Sequence, residues 1–157
     1  MALDMVSFKA RGSFGLVFLA ATLSLNAVDN RGARDEFMAA RALVTHGEYE
    51  QAILKLQAYL SEHPQGKYSS RARFFLGKAH VGANDFVAAR TAWQHTIRDY
   101  PSSLEAHKAT YKLAWLTFID GDPVRARAEF HEIASRPNGP LAPEAAAFVR
   151  YLDKHAQ

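Results

Sequence analysis

From residue 33 onward, small and large apolar positions recur at one fixed interval. Ala52, Ala89 and Ala126 stand 37 residues apart, and four residues beyond each lies a large apolar side chain: Leu56, Trp93 and Phe130. Upstream, Phe37, Phe74 and Tyr111 keep the same interval, as do Ala40, Gly77 and Ala114. Self-similarity at a fixed period of this length marks a stacked array of supersecondary units. Within each unit the spacing of three and four predicts two helices. The first helices are predicted over 35–46, 67–82 and 103–119, the second over 49–62, 86–99 and 123–135. The small residues fall where two helices approach closely, and the large residue four positions on fills the space beside them.

Turn chemistry separates the paired helices. Gly47-Glu48, Asn84-Asp85 and Gly121-Asp122 put a residue tolerant of left-handed backbone before an acid. The first can end one helix, and Asp85 or Asp122 can cap the next. Pro123 suits the first helical position, where no amide hydrogen is needed. Pro64, Pro101 and Pro137, the last one place early, stop the second helices. A final helix from Ala142 to His155 carries Phe148, Val149, Tyr151 and Leu152 on one side and Arg150, Asp153 and Lys154 on the other. The pattern therefore predicts an all-α chain: three helix pairs over 33–138 (33–66, 70–103 and 107–138), then a capping helix at 142–157.

The first 27 residues follow a different logic. Lys9 and Arg11 precede an uncharged apolar run, Phe14 to Leu25, which ends at Asn26-Ala27. A positive start, an apolar run and a small residue form the layout of a secretory signal, with cleavage expected after Ala27. The run is short of the ~20 apolar residues of a spanning helix. A retained membrane anchor and a buried first helix are the other two readings of this stretch.

Composition narrows the function. Of 157 residues 48% are hydrophobic and 22% charged, which is ordinary globular chemistry. The net charge of +3 is spread along the chain rather than concentrated, so nucleic acid is not an expected partner. Cysteine is absent, which removes disulfides, thiol catalysis and cysteine-based metal sites, and with them the thiol a bacterial lipid anchor requires. Seven histidines fall at no metal-ligand spacing, and His95 with Asp99 reads as a surface pair one turn apart. No HExxH, phosphate loop or GxSxG elbow occurs. No enzyme, cofactor or metal is expected.

The repeat resembles the tetratricopeptide family across residues 33–138. The period of 37 is longer than the family's, and the first-helix aromatic sits one position late. These departures, with the Tyr100-Pro101-Ser102-Ser103 junction, are similar to a bacterial envelope subtype. That subtype includes the Tol–Pal-associated periplasmic protein and the outer-membrane-assembly lipoprotein. The coiled-coil region of the former and the anchoring cysteine of the latter are missing here.

The resemblance implies a right-handed superhelical array whose first helices line a concave groove. One stripe of those helices reads Arg34, Met38 and Arg41, then Arg71, Phe75 and Lys78, then Lys108, Lys112 and Trp115. Arginine and aromatic side chains are favoured at the centres of interfaces. The other reading of the stripe is a solvated face with its aromatics turned inward. The function implied is an exported adaptor that holds a protein or peptide segment. A structural subunit of an envelope complex or oligomer, and a non-catalytic accessory to a cell-wall or polysaccharide enzyme, are the alternatives. The location implied is periplasmic or secreted, with membrane contact only if the N-terminal segment is retained.

Overall fold

A computed structural model describes residues 31–155. The predicted signal segment, with Lys9, Arg11 and the Phe14–Leu25 run, lies outside the described residues. Those described form seven helices and no strand: α1 (31–46), α2 (Tyr49–Glu62), α3 (Ser69–Gly82), α4 (Phe86–Asp99), α5 (Leu104–Ile119), α6 (Pro123–Ala134) and α7 (Ala142–His155). From α2 on, each helix packs on the next in sequence, α3 also touches α5, and α1 shares a core with α2 and α3. The first helices therefore form one layer and the second helices another, a tetratricopeptide-like array.

The helix boundaries follow local chemistry. Gly47, Asn84 and Gly121 adopt φ of 81°, 60° and 87°, the left-handed backbone that ends each first helix. Asp85 and Asp122 cap α4 and α6, accepting from the amides of Ala88 and Arg125, each at 2.9 Å. Glu48 occupies the same place before α2 and makes no such bond. Helix α3 starts two residues later than the periodicity predicts. Gly66 and Ser69 fold back on the chain there, Ser69 N donating to the Gly66 carbonyl at 3.0 Å, so Lys67 and Tyr68 belong to a turn.

The core is divided by unit, and each part also takes in the next unit's first helix. Phe37, Leu56 and Tyr59 gather with Ala72 and Ala79 of α3. Phe74, Ala89 and Trp93 gather with Ala109 and Leu116 of α5. Ala114, Ala126 and Phe130 gather with Ala145, Val149 and Leu152 of α7. Ala52, Ala89 and Ala126 are wholly buried, as are Leu56 and Phe130, with Trp93 1% exposed. Contacts between neighbours alone carry the stability of such an array.

The small and large positions are matched within each unit. Units one and three pair Ala40 with Leu56 and Ala114 with Phe130; unit two pairs Gly77 with the larger Trp93. A Cβ on Gly77 would stand 2.3 Å from Trp93 Nε1. The indole is fixed, since that nitrogen donates to the Phe74 carbonyl at 3.1 Å. Gly77→Ala gains about 1 kcal/mol of helix propensity but overpacks a closed site, which costs about 1–3 kcal/mol. A net loss of stability is expected in urea melts. Gly82→Ala should be milder, because its added Cβ meets the Tyr49 ring, which is only half-buried and can move.

Helix α7 continues the periodicity. Phe148 stands 37 residues beyond Tyr111 and packs on Phe130 with ring centres 4.5 Å apart. At the small position of this fourth copy stands Tyr151, half-exposed and stacked on His155 at 4.4 Å. That bulky ring replaces the Ala40, Gly77 and Ala114 of the three units.

Candidate functional site

The exposed layer of first helices encloses an open groove of about 710 Å³. Its walls come from α1, from Tyr68 and α3, and from the start of α5. Arg34, Met38 and Arg41 contribute from α1, Arg71, Phe75 and Lys78 from α3, and Lys108 from α5. These seven stripe residues meet because they recur at the helix-pair period and the first helices lie side by side. Phe37, Tyr68, Phe74, Leu104 and Glu105 complete the lining. Tyr68 and Glu105 lie three residues before Arg71 and Lys108, one turn back on the same face, and that spacing was the signal for them.

Lys112 and Trp115 stand outside this lining. The Trp115 ring packs against the cores of units two and three. Lys112 lies over it, its ammonium 5.5 Å from the ring centre. Burial, and then the nearby Lys78 charge, holds the Lys112 pKa below the usual lysine value. A carboxylate brought beside this pair would favour its charged form.

The aromatic floor supports the cations. Phe37 stacks on Tyr68 at 5.5 Å and meets Phe75 edge-on at 6.0 Å. Lys78 Nζ sits 4.9 Å and Arg41 Cζ 5.6 Å from the Phe75 ring centre, and Arg71 Cζ lies 6.0 Å from that of Tyr68. Cations placed over ring faces gain about 0.5–1 kcal/mol at exposed sites.

The electrostatics differ between the two layers. On α4 and α6, four arginines are tied to acids: Arg90 to Asp120, Arg98 to Asp99, Arg125 to Glu129 and Arg127 to Asp153. In the groove, Arg71 pairs with Glu105 at 3.5 Å. Among the described residues, Arg41, Lys78 and Lys108 form no ion pair. Five cations thus face one carboxylate, and the groove can attract anions and cover apolar groups.

Paired helices, a matched small-and-large core and a groove along one layer define a helical-repeat protein of the tetratricopeptide type. The family model described as outer membrane lipoprotein (YfiO) matches residues 30–147. That is well over half of the chain, and the chain belongs to this family. The family is one of envelope proteins. None of the 157 residues here is a cysteine, so none offers the thiol that would carry a lipid.

Proposed function

We propose that this chain is an exported adaptor of the cell envelope that holds an acidic segment of a partner protein in the groove of α1, α3 and α5. The observation that carries the reading is the groove's own charge and floor. Five cations face one carboxylate there, and Arg41 and Lys78 stand over the Phe75 ring with no acid of their own. A partner with carboxylates flanking an aromatic or aliphatic side chain satisfies both features. The groove's lining of cations and aromatic rings supports binding as its activity. Export rests on the family and on the apolar N-terminal run. Cleavage after Ala27 gives a periplasmic or secreted protein, and retention gives an anchored one.

Photo-crosslinking in the native envelope tests this. A photoreactive residue at Met38 or Lys78 should capture a protein partner, while one at Val87, highly exposed on α4, should not. Capture from Val87 alone would move the interface to the outer layer. A structural-subunit reading draws on a second, more apolar recess of about 570 Å³ between α6 and α7, edged by Val124 and Tyr151. Capture of a further copy of this chain from Val124 would favour it.

A further inference from the structure

A second cluster lies away from the groove, where the start of α1 meets the end of α2. Glu36, Glu62 and His63 bring one donor atom each to within 4.8 Å of the others. His63 Nε2 stands 3.3 Å from Glu36 Oε2. Glu36 and Glu62 border a recess of about 440 Å³ that Asp35, Lys55 and Tyr59 also line, and His63 follows Glu62 at its edge. Tyr59 is 2% exposed, and its buried hydroxyl, lying beside Gly66 and Ser69, forms no hydrogen bond of good geometry. An unpartnered buried polar atom calls for an explanation, an ion or water among them.

The repeat itself supplies a comparison. Residues 37 positions on from Glu36, Glu62 and His63 are Arg73, Asp99 and Tyr100. In unit two, Arg73 and Asp99 close the helix pair with a cation and an anion 3.7 Å apart. Tyr100 there donates its hydroxyl proton to the Pro64 carbonyl at 2.8 Å. Unit one places two carboxylates where unit two places that ion pair, and an imidazole where unit two has the phenol. The local field adds to the excess of negative charge. Glu62 and His63 lie at the C-terminal end of α2, the negative end of the helix dipole, which favours a cation. No basic residue occupies the last turn of α2, whereas α4 has Arg98 and α6 has His131 there.

We propose that Glu36, Glu62 and His63 form a zinc-type divalent-cation site that fastens α1 to the end of α2, the cation taking the place of the Arg73 guanidinium. Two carboxylates and a neutral imidazole suit zinc, which takes nitrogen at about 2.0–2.1 Å and oxygen at about 2.0–2.2 Å and leaves a fourth position for water. The imidazole sets it apart from a magnesium site, which prefers oxygen alone. His63 is well placed as a ligand. Its amide donates to the Tyr59 carbonyl at 2.8 Å, its carbonyl accepts from Ser69 Oγ, and its ring packs 4.8 Å from that of Tyr59. Lys55 is the competing cation on the rim.

Equilibrium dialysis of the purified chain against zinc ions tests the proposal, with thermal melts alongside. The wild type should take up a single tight equivalent, and excess magnesium should not displace it. Glu36→Gln and His63→Gln should each weaken that binding by at least about tenfold, with Glu62→Gln as a second carboxylate variant should either fail to fold. Glu36→Arg copies the pair in unit two. It should abolish tight uptake, and zinc should raise the melting temperature of the wild type but not of this variant. Zinc uptake unchanged in the Gln variants, displacement by magnesium, or no saturable uptake would each overturn the site.

Discussion

Trp93→Ala should cost about 3–5 kcal/mol of folding stability, the range for removing a large buried aromatic. The indole is 1% exposed and packs at 6.2 Å from the Phe74 ring, among Ala89 of α4 and Ala109 and Leu116 of α5. It therefore joins the two helices of unit two to the first helix of unit three. Gly77, Ala89 and Ala109 have no side chain long enough to refill the space, so the cavity term adds to the lost transfer energy. Urea denaturation followed by circular dichroism measures the loss. Trp93→Phe combined with Gly77→Ala reproduces the Ala114–Phe130 pair of unit three. It should recover most of that stability, because neighbouring sites are not additive. A loss below about 1 kcal/mol for Trp93→Ala would mean that the indole is not the keystone its burial implies.

The architecture was legible because two signals agree at each unit. The interval of 37 residues aligns the small and large core positions, and Gly or Asn followed by an acid places the turns. Both are local, so one sequence suffices to read them. The groove was partly legible for the same reason, since Arg34, Arg71 and Lys108 recur at that interval and the first helices lie side by side. What periodicity could not supply is which side chains meet across units. Arg71 reads as a free cation in sequence and is paired with Glu105. Trp115 reads as a groove residue, yet its ring packs against two cores, because its larger side chain reaches inward where Arg41 and Lys78 stay in solvent. Glu36 and His63 are 27 positions apart. Only the antiparallel turn of α1 onto α2 brings them together, so a search for closely spaced ligands passes over them.

The Arg71–Glu105 pair decides which substitutions test the groove. Glu105 is mostly buried, its side chain 13% exposed, so Arg71→Glu would leave it facing a second carboxylate and disturb the fold as well as the surface. Lys78 and Lys108 carry no such partner among the described residues. Lys78→Glu with Lys108→Glu reverses two charges in the groove and should change stability by only about 0.5 kcal/mol per site. For an acidic partner, each exposed attraction of up to about 1 kcal/mol becomes a comparable repulsion. The two reversals together amount to up to about 4 kcal/mol, and with the salt screening of exposed charges the loss expected is on the order of a hundredfold in affinity. Wild-type binding should also weaken as salt rises, since these charges are open to screening over a Debye length of about 8 Å at physiological ionic strength.

The most direct test of the account is therefore the affinity of the crosslinked partner for wild type and for the Lys78→Glu, Lys108→Glu double variant, measured by calorimetry after circular dichroism has shown both to be equally helical. The account predicts a loss on the order of a hundredfold; equal affinity in a well-folded double variant would contradict it and remove the groove of α1, α3 and α5 as the binding site.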